Sequence, residues 1–262
     1  MKAWDRVTIA RAITRPKSQD FIQLMFEDFY ELKGDRGFHD DPSIIGGVAT
    51  LNKIPVTIIA QTKGKTVEEN LEKKFGMTSP QGYRKALRLA KQAEKFNRPI
   101  INFVDTPGAY PGKQAEEGGQ AQAIAECLFE FSNIQVPVIC VVLSEGGSGG
   151  ALALSIGDRI VMLENAIYSI LSPEGFATIL WKDQSRAKEA SEVMKLTSYD
   201  LFEKEIVEKI ISEPTNDIST CIPFMAQQIK EYIVNQLEVL TKIPTKQLLK
   251  QRYHKYRKIG SL

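Results

Sequence analysis

The chain has 262 residues, of which 43% are hydrophobic and 25% are charged, and its formal net charge is +2. These values are ordinary for a globular protein with a substantial core, and they give no reason to expect nucleic acid as the main partner. The charged start of the chain does not resemble a secretory signal, and the apolar run 138–143 is too short to cross a bilayer, so we expect a cytoplasmic protein without a membrane partner.

The predicted elements alternate between helices and strands. In chain order they are a helical segment 1–33, strands 43–51 and 55–61, a helix from Ser79-Pro80 that ends before Asn97, a buried strand 100–104, a helix 120–132, a buried strand 136–143, a helix 149–155, strands 159–163 and 167–171, helices 173–181 and 186–196, and a mostly helical end 218–258. This order predicts a layered α/β fold with one core and helical extensions at both ends.

Three smaller expectations follow from local patterns. The helix 120–132 has Ala121, Ile124 and Leu128 at helical spacing, with Phe129 or Phe131 beyond them, so we expect these residues to face the core. The lysine-rich stretch 62–74 is typical of a solvated face, although its lysines also suit an anionic ligand or an acidic partner. The basic end around Arg252 is expected to be solvated as well.

Cysteine and histidine are too sparse to indicate a metal site. Cys127 and Cys140 fall in apolar patterns that are typical of buried, reduced thiols, and no CxxC pair is present. The two histidines, His39 and His254, lie in polar surroundings far apart in the sequence. We therefore predict no metal ion in this chain.

Two glycine-rich loops follow two consecutive buried strands. They occupy residues 105–112 and 145–150, and in open α/β sheets ligands bind beyond the carboxyl ends of such strands. A glycine turn that begins a helix points free N–H groups at one spot, where the helix dipole adds partial positive charge. Such a spot binds a phosphate or an oxyanion that develops during a reaction.

Other interpretations of these loops remain open at this level. Residues 146–150 match G-x-S-x-G, the pattern of a serine hydrolase with Ser148 as nucleophile, but neither histidine is an evident base. Glu116, Glu117 and Glu145 are candidate proton-transfer groups. In each case the simpler alternative is a capping or dipole-stabilising role at a helix end.

An ordered series of motifs resembles the alpha subunits of the bacterial acetyl-CoA carboxylase carboxyltransferase family. The resemblance covers roughly residues 20–215. Its motifs are Gly46-Gly47, Lys63-Gly64, Asn70, Phe75-Gly76-Met77, residues 82–88, residues 105–112, Ala115-Glu116-Glu117, residues 145–154, Ser172-Pro173-Glu174-Gly175 and residues 179–182.

The resemblance implies a ClpP/crotonase-like spiral of ββα units. We expect an N-terminal helical segment 1–42, a core 43–215 and a C-terminal helical segment 216–262. The implied activity transfers the carboxyl group from carboxybiotin, held on its carrier protein, to acetyl-CoA to form malonyl-CoA, the first committed step of fatty-acid biosynthesis. The implied assembly is an α2β2 heterotetramer with a zinc-containing beta subunit, which works with biotin carboxyl carrier protein and biotin carboxylase.

The resemblance also implies which residues form the site. Gly150 and Ala151 would donate the backbone hydrogen bonds that hold an oxyanion, and Gly146 and Gly147 would shape the turn. The cleft for carboxybiotin and CoA would include Gly149, with Gly108 and Ala109 on the opposite wall. This chemistry needs neither a histidine nor a nucleophile.

The chain departs from the family pattern at a few positions, none of which lies in the two glycine turns. Ala60-Gln61-Thr62 stands where Gly-His-Gln is usual, and Lys113-Gln114 replaces two small residues. Gly118 replaces an arginine, and Thr215-Asn216-Asp217 stands where Gly-Gly-Ala-His is expected.

Overall fold

The computed structural model describes residues 1–214 and 221–260. Over these residues the helices are α1 Ala3–Ala10, α2 Ser18–Met25, α3 Val67–Glu72, α4 Pro80–Lys95, α5 Lys113–Glu117, α6 Gln120–Asn133, α7 Ser148–Ser155, α8 Pro173–Trp181, α9 Ala187–Val193, α10 Ser198–Glu203, α11 Ile222–Leu240 and α12 Thr245–Lys258. The strands are β1 Glu27–Glu31, β2 Ile44–Leu51, β3 Ile54–Gln61, β4 Ile100–Thr106, β5 Val138–Gly147, β6 Arg159–Leu163, β7 Ile167–Ser169 and β8 Lys209–Ile211.

One mixed sheet carries all of these strands. Its order is β1-β2-β3-β4-β5-β6-β8, and β7 pairs with the end of β5. The pairs β1–β2 and β2–β3 are antiparallel, whereas every pairing from β3 onward is parallel. The carboxyl ends of β3, β4 and β5 therefore lie side by side at one edge of the sheet.

The central strands are buried on both faces, as continuous apolar runs predict for parallel strands. Every residue of β4 is buried, and β5 is buried from Val138 to Ser144. Helix α4 packs on α6, and α6 packs on α7, so that these helices cover the strands next to the two glycine loops. The α/β class and the predicted order of the central elements are confirmed.

The predicted hairpin is also confirmed, and its turn has a clear backbone cause. Asn52 and Lys53 have φ angles of 48° and 66°, both in the left-handed region. Two residues with positive φ give the turn whose twist matches the two strands, and asparagine tolerates this conformation better than most residues. The register of β2 on β3 runs without a shift from Ile44–Gln61 to Leu51–Ile54.

The prediction of a helix over the whole of residues 1–33 was wrong at its end. Residues Glu27–Glu31 form β1, which pairs with the free edge of β2 through a register shift between Glu27 and Tyr30. Pairing with the sheet supplies the backbone hydrogen bonds that a helix would otherwise supply, so tertiary contact overrides the local spacing. The boundary predicted between residues 215 and 216 lies outside the described residues.

The predicted buried face of α6 is confirmed at Phe131 but was otherwise wrong by about one residue. The buried positions are Gln120, Ala123, Cys127 and Phe131, while Ala121 is exposed and Phe129 is 69% exposed. Ile124 packs against the core only in part. The helix has two adjacent apolar stripes, one through Ile124 and Leu128 and one through Ala123, Cys127 and Phe131. Packing against α4 and α7 buries the second stripe.

The C-terminal helix is not a solvated tail. Arg252 of α12 is only 2% exposed and pairs with Asp158, at 2.9 and 2.8 Å for its two side-chain bonds to the carboxylate. It also donates to the backbone carbonyls of Phe131, Ile134 and Val136. This single side chain therefore anchors α12 to the loops that follow α6 and α7.

Candidate functional site

The two glycine loops touch each other at the carboxyl edge of the sheet. A Cβ atom on Gly147 would lie 2.0 Å from the carbonyl oxygen of Pro107, and one on Gly150 would lie 2.4 Å from the amide nitrogen of Ala109. No side chain larger than hydrogen fits at either position unless the loops separate. Gly147 and Gly150 are therefore required for this approach.

The remaining predicted glycines differ in what surrounds them. A Cβ on Gly146 would meet the ring of Tyr168 at 2.5 Å, whereas Gly149 has only Ile124 nearby, at 3.7 Å. Gly108 has a φ of 153° and no atom within 4 Å of the Cβ position, so it borders open space. On its other side this loop packs against Gly150, because a Cβ there would lie 2.7 Å from the carbonyl carbon of Gly108 and 2.4 Å from the nitrogen of Ala109. Gly108 and Ala109 therefore contact Gly150 directly and do not face it across a cleft.

The chain turns sharply from β5 into α7 at Ser148. This residue has a φ of 56°, a left-handed conformation that costs free energy for any residue with a Cβ. The amides of Ser148, Gly149 and Gly150 lie in the first turn of α7, where a helix provides no carbonyl partner. The amide of Ala151 comes four residues after Gly147, at the first position that can donate within the helix.

An ion-pair network joins the ends of the strands beside this turn. Lys63 Nζ lies 2.6 Å from Glu145 Oε2 and 3.0 Å from Asp105 Oδ1, so it links the loop after β3 to β4 and β5. Arg11 binds the other oxygen of Glu145 at 3.0 Å and reaches Glu174 at 2.7 Å. Burial by itself would lower the pKa of Lys63, but the attraction of the Asp105 and Glu145 carboxylates is larger in sum. The pKa of Lys63 is therefore raised above its ordinary value.

This network corrects the prediction of a solvated charged face for residues 62–74 at Lys63, whereas Lys65, Glu68 and Glu72 are exposed as predicted. The side chain of Lys63 is 13% exposed and Lys73 is also buried. Alternation of charge along the sequence could not reveal this, because the partners Asp105 and Glu145 are far away in the chain. The sequence did place all three residues at strand ends, which is the signal that could have joined them.

A small cavity of about 40 Å³ is lined by Gly146, Gly147 and Pro107, and two larger cavities lie beside the turn. One, of about 260 Å³, lies beside Lys63, Glu145 and Pro107 and is also lined by Arg11 and Lys17. Burial lowers the pKa of Lys17, and the nearby Asp105 offsets part of this effect. The other, of about 490 Å³, is largely apolar and lies beside Ser148, Gly149 and Leu152. Gly150 and Ala151 are buried and line none of these cavities.

The two histidines and the glutamates of α5 make no hydrogen bond to the glycine turn among the described residues. In the part of the chain that the structure describes, no hydrogen bond joins Ser148 to a histidine, and the rings of His39 and His254 lie against Phe38 and Tyr253 instead. Glu116 and Glu117 are exposed on α5, and Glu117 pairs with Lys113. Within ranges 1–214 and 221–260, no cluster of three or more metal-ligating side chains is found, and no helix is long and apolar enough to cross a membrane.

A family model described as acetyl co-enzyme A carboxylase carboxyltransferase-like matches residues 1–260. The chain belongs to this family. The Clostridium acetobutylicum acetyl-coenzyme A carboxylase carboxyl transferase subunit alpha is 54% identical, over 98% of this chain and 94% of that protein. The corresponding subunit of Listeria monocytogenes is 53% identical, over 99% of this chain and 82% of that protein.

A third relative joins two subunits in one polypeptide. The Natranaerobius thermophilus carboxyl transferase subunits beta/alpha protein is 55% identical, over 98% of this chain and 42% of its own length. This chain therefore corresponds to the alpha part of a protein whose name also includes a beta part. The serine hydrolase alternative gains no support from any of these relatives.

Solved structures share the fold at low sequence identity. The transcarboxylase 12S structure aligns with a TM-score of 0.65 and 22% identity, over 83% of this chain and 42% of that chain. A Pseudomonas malonate decarboxylase hetero-tetramer in complex with coenzyme A aligns with a TM-score of 0.65 and 16% identity, over 80% and 84%. The predicted ClpP/crotonase-like fold is thereby confirmed.

Proposed function

We propose that this chain is the alpha half of the acetyl-CoA carboxylase carboxyltransferase, which moves a carboxyl group from carboxybiotin to acetyl-CoA and forms malonyl-CoA. The family match over residues 1–260 supports the reaction class. The observation that carries the site is the contact of the two glycine loops at Gly147 and Gly150, which brings the first turn of α7 beside Pro107 and Ala109.

The first turn of α7 is suited to hold negative charge. Its amides lack intrahelical carbonyl partners, and the helix dipole adds partial positive charge at the same end. We assign the donor pair to Gly150 and Ala151, with Gly146 and Gly147 shaping the turn and Gly108, Ala109 and Gly149 beside the substrates. Helix geometry supports Gly150 more strongly, because the amide of Ala151 can also donate to the carbonyl of Gly147.

Carboxyl transfer from biotin requires stabilisation of charge more than it requires a side-chain acid or base. Loss of CO2 from carboxybiotin leaves negative charge on the ureido oxygen, and the ureido nitrogen can then take the methyl proton of acetyl-CoA. The enolate that results attacks the released CO2, and the new carbon–carbon bond gives malonyl-CoA. Backbone amides fixed by the two loops would hold the ureido oxygen. Each preorganised donor of this kind contributes about 3–4 kcal/mol to lowering a barrier.

The proposed assembly includes a zinc-containing beta subunit in an α2β2 heterotetramer, with biotin presented by its carrier protein. The joined beta/alpha polypeptide of Natranaerobius thermophilus supports a close association of the two subunits. Biotin carboxylase would supply the carboxylated carrier. The substrate carboxybiotin is thus delivered to this chain and is not covalently attached to it.

The test is carboxyl transfer by the assembled complex. This chain is co-expressed with a bacterial beta subunit, and malonyl-CoA formation from acetyl-CoA and carboxybiotin is measured with and without that subunit. We expect turnover only when both chains are present. A verified complex that forms no malonyl-CoA would overturn the proposal.

The site assignment is tested by Gly150→Ala, with Gly37→Ala as the matched control. The new methyl group at residue 150 must push away the backbone of Ala109, whereas the one at residue 37 meets only the carboxylate of Asp35 at 3.5 Å. We expect turnover to fall roughly 100-fold or more in the first variant while the complex still assembles. Unchanged turnover would refute the assignment.

A further inference from the structure

The carbonyl of Gly150 receives two side-chain hydrogen bonds from elements outside its own helix. Gln61 Nε2 donates to it at 2.9 Å, and the hydroxyl of Tyr83 donates at 3.2 Å. Gln61 is the last residue of β3, and Tyr83 lies in the first turns of α4. Both side chains are fully buried, so neither bond competes with bulk water.

These bonds act on the peptide group next to the proposed donors. The peptide unit is planar and trans, so the carbonyl of Gly150 and the N–H of Ala151 lie in one rigid plane and point in opposite directions. The N–H of Gly150 is attached to the same α-carbon as that carbonyl. Fixing the carbonyl from two sides therefore fixes the direction of the Ala151 amide directly. It also restricts rotation about the α-carbon of Gly150, a residue whose backbone is otherwise unusually free, and so limits how far the Gly150 amide can turn.

The orientation of the Gln61 side-chain amide costs free energy, because it leaves one buried acceptor unpaired. That the orientation is adopted nonetheless indicates that the hydrogen bond from Nε2 to Gly150 is important. The Oε1 atom of Gln61 is buried and has no hydrogen-bond partner among the described residues. A buried, unpaired acceptor is unfavourable, yet the opposite orientation of the amide would place Oε1 against the carbonyl oxygen of Gly150. Burial raises the pKa of Tyr83 far above its ordinary value, so its hydroxyl remains a donor at every working pH.

We propose that Gln61 and Tyr83 are positioning residues, which hold the first turn of α7 so that its amides are aligned on the developing oxyanion. The inference rests on the proposed function of this turn. It concerns two side chains that do not touch the substrates. Their contribution is made through the carbonyl of Gly150 and is realised mainly in the transition state.

The first experiment removes each donor and keeps the shape. Gln61→Met and Tyr83→Phe are measured in the complex with the beta subunit, with Tyr256→Phe as control. Tyr256 is half-buried, and its hydroxyl can donate to the carbonyl of Ser155 or of Gly157 at the far end of α7. We expect kcat to fall about 3- to 10-fold in each test variant, with KM for acetyl-CoA within about twofold. The Tyr256→Phe variant should keep its kcat even where its unfolding midpoint drops.

A second experiment uses pH to separate alignment from general damage. In Gln61→Glu, the protonated carboxyl can donate to the carbonyl of Gly150, whereas the ionised carboxylate repels it. We therefore expect the kcat of this variant, relative to wild type, to rise as the pH is lowered. Gln61→Met has no titrating group, and its loss should be the same fraction at every pH.

The outcomes distinguish the inference from the function on which it rests. A wild-type complex without carboxyl transfer would refute both. An active wild type with unchanged kcat in Gln61→Met and Tyr83→Phe would refute the positioning role alone. An equal loss of kcat in Tyr256→Phe, or a flat relative pH profile for Gln61→Glu, would also refute it, because damage to the fold would then account for the losses. If Tyr83→Phe does not fold, the two Gln61 variants still decide the matter.

Discussion

At the scale of single residues, the glycines of the turn before α7 have unequal roles. At Gly147 a methyl group would overlap the backbone of Pro107, whereas at Gly149 the nearest atom lies at an ordinary contact distance of 3.7 Å. Sequence reasoning placed all of these glycines in one site but could not rank them, because the overlap depends on a loop 40 residues away. The ranking can be measured.

We predict that Gly147→Ala lowers the free energy of unfolding by about 1–3 kcal/mol, because the two loops must separate to admit the methyl group. Gly149→Ala is the matched variant in the same turn. It should be neutral or stabilising by up to about 1 kcal/mol, since alanine favours the helix. Urea unfolding of both proteins measures the difference, and equal effects would contradict the structure.

Ser148 provides a second prediction at this scale. Its φ of 56° strains a residue with a Cβ, so Ser148→Gly should stabilise the protein by about 1 kcal/mol in urea unfolding. Ser148→Ala should keep kcat for carboxyl transfer within about threefold, because the proposed chemistry uses no hydroxyl nucleophile. A loss of about 1000-fold, as expected for removal of a nucleophile, would contradict this interpretation.

At the scale of elements, the position of α12 depends on one buried charge. Arg252 makes five hydrogen bonds, to Asp158 and to three carbonyls that end neighbouring elements. The predicted mostly helical end 218–258 contains α12, but the basic composition of this part of the chain suggested solvent exposure. Composition cannot distinguish an arginine with buried partners from its solvated neighbours.

We predict that Arg252→Met lowers the free energy of unfolding by roughly 3–5 kcal/mol, because it leaves the carboxylate of Asp158 buried without its partner. Arg252→Lys should recover only part of this loss, since one ammonium cannot replace the planar guanidinium on several acceptors. Tyr253, which is 62% exposed on the same helix, supplies the control Tyr253→Met. Chemical denaturation of the three variants gives the comparison, and a loss near zero for Arg252→Met would show that the ion pair is not needed.

At the scale of the whole molecule, one core encloses both thiols that the sequence predicted to be buried. Cys127 and Cys140 are fully buried, and desolvation raises the pKa of each to about 12. An unfolded thiol has a pKa of about 8.5, so between these values unfolding releases a proton. The stability of the fold should therefore fall as the pH rises above about 8.5.

The measurement is urea unfolding at pH 8 and pH 10 for wild type and Cys140→Ala. Removal of one thiol should reduce the loss of stability between these two pH values by about 2 kcal/mol. Between pH 6 and pH 7 the thiol of Cys140 is protonated in both the folded and the unfolded wild type. The difference in unfolding free energy between wild type and Cys140→Ala should therefore stay constant over that range. Equal alkaline losses in the two proteins would contradict the assigned pKa.

The sequence alone determined the α/β class, the central elements, the two glycine loops and the family, because these features depend on local periodicity, turn chemistry and ordered motifs. The tertiary structure decided that residues 27–31 join the sheet, that Lys63 and Arg252 are buried with distant partners, and which face of α6 is covered. It also brought Gln61 and Tyr83 onto the carbonyl of Gly150. These relations depend on contacts between residues far apart in the chain, where the energy of pairing and burial outweighs local preference.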